Sequence, residues 1–175
     1  GEYRAAGQFV PVTYEGKHGS YCHMLFLDAG APLDGGREIW GFPEKLAKAS
    51  LKVETDTLVG TLDYGRIRLA TGTMGYKYQT RDGKAMTRDL AEPNYLLKIV
   101  PHVDCTPRVL ELVRYKFEDV QLKGAWTGPA GLVLANHALA PLAELPVREI
   151  ASAVHFVADL TLGLGEIVHD YLKRR

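Results

Sequence analysis

The sequence has no apolar run near the roughly 18 residues that a membrane-spanning helix needs, and no signal-peptide pattern opens it. A soluble, cytoplasmic protein with no membrane partner is the expectation. It has no excess of either charge, with 21 Lys and Arg against 21 Asp and Glu, and no basic run longer than the terminal Lys173-Arg174-Arg175. That balance argues against a nucleic-acid partner or an anionic lipid surface. Cysteine is scarce: Cys22 and Cys105 lie far apart in sequence, which fits two reduced thiols in a cytoplasmic protein. The six histidines are scattered, with neither the i, i+4 spacing nor the cysteine partners of a zinc site, so no metal site is expected.

Other signatures are missing too. Ser20, Ser50 and Ser152 lack the glycines of a nucleophile elbow, so acyl transfer through serine has no support. Gly72-Thr73-Met74-Gly75 and Gly163-Leu164-Gly165 sit in no strand-to-helix phosphate loop and read as bends or bulges. No repeat, low-complexity tract or linker divides the 175 residues, which predicts a single domain over 1–175. The chain opens on Gly1 rather than Met and reaches strand-like sequence within ten residues. A piece of a longer protein is the expectation.

What is present is mostly strand, because apolar residues recur with period two rather than 3.6. Gln8 to Glu15 and Tyr21 to Leu27 flank a hairpin loop at Glu15–Gly19. Leu51 and Val53 alternate with Lys52 and Glu54, and Thr57–Tyr64 and Arg66–Thr73 form a second hairpin around Gly65. Asn94–Val100, Val109–Phe117 and Leu132–Ala135 continue the pattern. Glu149–Leu162 reads as a long strand with Val154, Phe156, Val157 and Leu160 buried. Apolar residues on both faces of such a strand predict a closed sheet. The fold expected is mainly β, an antiparallel closed or barrel-like sheet with a few short peripheral helices. Those helices are placed at Glu44–Lys48 after Pro43, at Thr87–Ala91 and at Gly165–Lys173. Tyr76, Tyr95 and Trp126 read as core.

One stretch carries chemistry. In "GREIWGFPEKLA", Gly36 to Ala47, an aromatic and apolar run delivers the chain into Glu44 and Lys45. The pair can be a surface ion pair or something more reactive. A lysine becomes nucleophilic near neutral pH when its ammonium form is destabilised by desolvation or by a nearby cation. Ile39, Trp40, Phe42 and Leu46 can supply an apolar wall, whereas the adjacent carboxylate of Glu44 works against the free amine. Neighbouring residues in extended backbone face opposite ways, so Lys45 points away from whatever Glu44 enters.

The chain resembles the acetoacetate decarboxylase family. The resemblance rests on "GREIWGFPEKLA", "DTLVGTLDYGRIRLATGTMGYK", "EPNYLLKIVPHVDCTPRVLELV", "GAWTGPA" and "HALAPLAELPVREIASAVHFVADLTL", which run collinearly through almost the whole sequence. It implies a β-rich, barrel-like fold with a buried pocket, no cofactor, a homo-oligomer, and a small β-keto acid as substrate. It also implies a further segment before Gly1 that supplies an arginine and an acidic residue to the site.

In that family the turn reads Pro-Lys-Lys, and its first lysine forms a Schiff base with the substrate ketone; acetoacetate decarboxylase is itself the standard example of such an activated amine. This chain reads Pro43-Glu44-Lys45, so Glu44 stands at the Schiff-base position. Near the start the family reads Tyr-Thr-Glu-Ser-Gly-Gln, whereas Tyr3-Arg4-Ala5-Ala6-Gly7-Gln8 puts Ala5 at the acidic position. Phe42 replaces a tyrosine, and Met24 and Leu25 fall, with Trp40, where the resemblance places pocket wall.

Three readings follow. The first is a carbon–carbon lyase releasing carbon dioxide from a β-keto acid, acetoacetate to acetone, with Lys45 as the Schiff-base amine. The second keeps the fold and changes the chemistry, with Glu44 as acid or base at the wall of the main pocket. The third is a binding relative without turnover.

Overall fold

The computed structural model describes residues 2–173; Gly1, Arg174 and Arg175, the last two part of the terminal basic run, lie outside the described residues. Strands dominate. They are β1 (Ala5–Tyr14), β2 (Lys17–Leu27), β3 (Glu44–Leu46), β4 (Lys48–Glu54), β5 (Thr57–Tyr64), β6 (Ile67–Gly75), β7 (Gln79–Thr80), β8 (Asn94–Pro101), β9 (Pro107–Tyr115), β10 (Phe117–Thr127), β11 (Ala130–Leu134), β12 (Val154–Leu162) and β13 (Glu166–Asp170). Two short helices, α1 (Gly30–Gly35) and α2 (Gly83–Ala91), interrupt them, and α1 runs directly into a π-turn over Gly36–Trp40. None of these helices is long and apolar enough to cross a membrane.

The first hairpin shows how local sequence sets register. Tyr14 pairs with Lys17, leaving only Glu15 and Gly16 in the loop, both at positive φ (48° and 76°). Two consecutive positive-φ residues match the right-handed twist of the flanking strands, which is why the loop is shorter than the five residues the sequence predicts. The hairpin around Gly65 also has a two-residue loop, Gly65 and Arg66 between the paired Tyr64 and Ile67, but there positive φ falls on the first loop residue alone (Gly65, 61°).

The sheets do not close. β1-β2-β8-β9-β13 form one ordered sheet with β3 attached to β2, β12-β10-β7 form a second, and β11-β6-β5-β4 a third. The expected barrel is therefore corrected to three separate sheets, mostly antiparallel. The joint between β2 and β8 is only Ser20↔Asn94 and Tyr21↔Tyr95, because β3 takes the remaining edge of β2 at Leu25–Leu27.

Other expectations also change. Glu44–Leu46 is strand rather than helix: Pro43 fits a first helical turn, yet its carbonyl accepts the Leu25 N–H (3.3 Å) and the next three residues pair in parallel with β2. The predicted C-terminal helix is β13 instead, held against β9. Only Val154–Leu162 of the long terminal segment is strand, since antiparallel β10 pairs it from Thr127 back to Phe117 and ends at Thr127, leaving the stretch before Val154 without a partner strand among the described residues. Phe156, Val157 and Leu160 are 37%, 46% and 38% exposed, not buried, because β12 is the uncovered edge of a three-stranded sheet. The predicted Thr87–Ala91 helix lies within α2, whose N-cap Asp82 accepts from the Lys84 N–H at 3.0 Å.

Two buried clusters result. One gathers Met24, Phe26, Ala47, Ala49, Leu62, Leu69, Ala140 and Leu142; the other gathers Cys22, Phe42, Leu96, Val113 and Tyr115. A bulge decides which β2 residues go where. Register shifts between Gln8↔Met24 and Phe9↔Cys22, so His23 is the extra residue, and its Nδ1 meets Gln8 Oε1 at 2.8 Å. The bulge puts Met24 and Phe26 into the first cluster while Cys22 and Leu25 face the second.

Phe26 has no exposed surface, so Phe26→Ala is expected to lower unfolding stability by about 3–5 kcal/mol. Val157→Ala, at an exposed site, is expected to stay within about 1 kcal/mol of the parent. Urea denaturation of both variants checks the two values, and similar losses would contradict this division of core from surface.

Candidate active site

The site starts with a turn that only particular residues can make. Gly41 has φ 94°, a conformation that a side chain strains. Its N–H and that of Phe42 both reach the Gly36 carbonyl, at 2.9 and 3.1 Å, closing the π-turn. Lys98 Nζ donates to the Ile39 carbonyl (2.8 Å) and Trp40 Nε1 to the Gly163 carbonyl (2.9 Å). The turn is thus fastened at both ends and at two points between, and turns of this class recur at functional sites.

Behind it lies Glu44, the buried charged or polar residue of the core, 6% exposed. Its carboxyl packs onto Gly36 so closely that a Cβ there would collide with both oxygens. Oxygen Oε2 has no hydrogen-bond partner among the described residues. Burial therefore pushes the Glu44 carboxyl up to about 7, with the Arg37 guanidinium on the turn pulling in the opposite direction. Cys22 stands nearby: burial first, and the Glu44 charge second, push its thiol up to about 12. Burial and then Cys22 raise Tyr115 as well. All three groups are held neutral more easily than in water.

The surrounding wall is aromatic. Phe42 meets Tyr115 edge-on at 5.0 Å and lies 6.4 Å from Trp40. Leu25, Trp40 and Phe117 pack against the cluster. Of the residues the sequence singles out, Glu44, Leu25, Trp40 and Phe42 thus come together. Met24 does not: the bulge places it in the other cluster.

Lys45 faces the opposite side of β3, opposite Phe26 in register, and its Nζ donates to the Leu139 carbonyl. Ala5 pairs with Leu27, and Gly7 with Leu25, which in turn pairs with Glu44. Directly opposed residues share a face, so Ala5 and Glu44 lie on one face, two positions apart.

Glu44 does not line the main clefts, contrary to the expectation that it stands at a pocket wall. An apolar cleft of about 330 Å³ is walled by Ala6, Gln8, Phe26, Leu62 and Leu142 among others. A polar one of about 590 Å³ is walled by Lys17, Arg114, Tyr115 and Glu118 among others. The carboxyl is packed instead into the turn, where Gly36 leaves room for it.

Sequence reasoning missed Cys22, Arg37, Gly36 and Tyr115. Arg37 and Gly36 sit in the motif itself, whereas Cys22 and Tyr115 reach the site only through sheet pairing. Among the described residues, no three His, Cys, Asp or Glu side chains converge as metal ligands do. Chemically, the arrangement offers a carboxylic acid that exchanges its proton near neutral pH, inside an apolar wall and beside one guanidinium.

Comparison with known proteins gives this geometry a context. A family model described as acetoacetate decarboxylase (ADC) matches residues 1–172. Acetoacetate decarboxylase 1 of Mesorhizobium japonicum is 63% identical over 174 residues, covering 99% of this chain and 70% of the relative. The acetoacetate decarboxylase of Bordetella avium is 62% identical, covering 99% and 71%. The crystal structure of acetoacetate decarboxylase from Legionella pneumophila superposes with a TM-score of 0.97 at 50% identity, covering 99% of this chain and 69% of that one.

The raised Glu44 proton affinity has a thermodynamic consequence. Unfolded, the group ionises near 4.5; folded, near 7. Between these values the folded state holds more protons, so stability falls as pH rises through the window, by up to about 3 kcal/mol, and levels off above it. Glu44→Gln stays neutral and is expected to remove this slope, gaining on the parent at pH 8 relative to pH 5. Chemical denaturation at both pH values measures the difference, and parallel pH profiles for the two proteins would contradict the assignment.

Proposed function

The chain belongs to the acetoacetate decarboxylase family, and from that premise we propose that it releases carbon dioxide from a small β-keto acid, with Glu44 as the proton donor. The observation that carries this reading is the buried carboxyl at the family's amine position, poised to exchange its proton at neutral pH. A general acid works best when its pKa lies near the working pH.

A β-keto carboxylate loses carbon dioxide when its ketone oxygen can take up the electron pair of the breaking carbon–carbon bond. In the proposed step the neutral Glu44 carboxyl gives its proton to that oxygen as the bond breaks. Carbon dioxide leaves, an enol forms, and Glu44 becomes a carboxylate. Glu44 then recovers the enol proton while solvent protonates the carbon, so each turnover consumes one solvent proton and yields the ketone. The apolar wall of Phe42, Trp40 and Leu25 favours this chemistry, because the charged substrate carboxylate becomes neutral carbon dioxide as the reaction proceeds.

Schiff-base chemistry on Lys45 needs a different arrangement. The amine sits on the far face of β3, bonded to the Leu139 carbonyl, and would have to cross the strand to meet a ketone bound beside Glu44. Borohydride reduction in the presence of acetoacetate, followed by mass measurement, separates the two chemistries. The parent is expected to show no lysine adduct. Glu44→Lys is expected to gain one, and Glu44→Gln to lose about 10²-fold or more in carbon dioxide release. Carbon dioxide release by the parent should fall as pH rises above about 7, as the acid form is depleted. A reduced adduct on Lys45 of the parent would overturn the Glu44 mechanism and restore the amine route.

A further inference from the structure

The turn that covers Glu44 also carries a cation with no ion-pair partner among the described residues, and we propose that Arg37 anchors the substrate carboxylate, fixing which end of the keto acid meets Glu44. The inference rests on the decarboxylase reading and adds to it the residue that orients the substrate. Three observations support it. First, Arg37 follows Gly36, whose Cα lies against the Glu44 carboxyl, so the guanidinium starts from the backbone that touches the acid. Second, the turn is immobilised by Lys98 on the Ile39 carbonyl and Trp40 on the Gly163 carbonyl, which fixes the point from which the arginine extends. Third, Arg37 is exposed and, like Arg66, Arg88, Arg108 and Arg148, takes part in none of the ion pairs among the described residues, but it alone of these acts on the Glu44 carboxyl.

A β-keto acid presents two oxygen-bearing groups, one anionic and one neutral, separated by a single methylene. A planar guanidinium recognises a carboxylate with two parallel donors, and a neutral carboxylic acid donates to a ketone. Arg37 and Glu44 form such a pair of unlike groups on adjoining pieces of backbone. Reversed binding would put the substrate carboxylate against the buried Glu44 carboxyl, where two negative charges cannot both persist. Recognition by Arg37 holds the ground state, because the charge it grips disappears as carbon dioxide forms. Its loss should therefore appear in substrate binding more than in the chemical step.

The test uses Arg37→Met and Arg37→Lys in the full chain. Two non-decarboxylating probes accompany acetoacetate: levulinate, a keto acid with a carboxylate, and 2,4-pentanedione, a neutral diketone. Arg37→Met is expected to raise KM for acetoacetate and Kd for levulinate about tenfold or more, with little change in Kd for 2,4-pentanedione; Arg37→Lys should recover part of the loss. Equal weakening for both probes would mean a structural role and would overturn the anchor. So would unchanged levulinate binding, or a parent that binds no levulinate. If the parent binds levulinate through Arg37 yet releases no carbon dioxide, the anchor stands and the decarboxylase reading fails. If it releases carbon dioxide and Arg37→Met leaves KM and Kd unchanged, the reverse holds.

Discussion

A carboxyl group buried against a glycine is the constraint on which the rest of the site depends. Glu44 occupies a space that a Cβ at position 36 would fill, and one of its oxygens has no hydrogen-bond partner among the described residues. An ionised carboxylate in such a place is costly, so the group answers by holding its proton to higher pH. Gly36, the π-turn it opens and the positive-φ Gly41 that ends it are all conditions for keeping the acid where it is. Cys22 and Tyr115 respond to the same environment: burial raises both, with the Glu44 charge adding to the effect on Cys22 and Cys22 adding to that on Tyr115.

Strand geometry converts this local constraint into a choice of chemistry. Three residues of β3 run parallel to β2, and their alternation sends Glu44 to the cluster of Phe42 and Tyr115 and Lys45 to the opposite face. A helix over the same residues would have set the two side chains about 100° apart and left both near one pocket. The bulge at His23 then determines which β2 residues join Glu44, admitting Leu25 and Cys22 and sending Met24 to the other core.

Much of this was legible in the sequence where the signal is local. Alternating runs located the β1–β2 and β5–β6 hairpins, and the collinear motifs identified the family, which the 63% identical relative bears out. Pro43 misled because a proline suits both a helix start and the entrance to an edge strand; the deciding partner, Leu25, is far away in sequence. Phe156, Val157 and Leu160 misled because apolar character does not say whether a neighbouring element covers a strand edge. Barrel closure is likewise a statement about pairings between distant strands. Cys22 and Tyr115 could not be placed beside Glu44 without those pairings, whereas Arg37 lies inside the quoted motif, where nothing local distinguishes it from any other arginine.

Protonation of one residue, Glu44, at neutral pH decides the chemistry of the site. Labelling glutamate side-chain carboxyls with carbon-13 and following the resonance that disappears in Glu44→Gln measures that protonation without requiring turnover. A midpoint near 7 is the predicted result, with Glu44 about half protonated at neutral pH. A midpoint near the ordinary value of 4.5 would show a solvated carboxylate, and the acid proposed to drive carbon dioxide release would then be absent at the pH where it has to act.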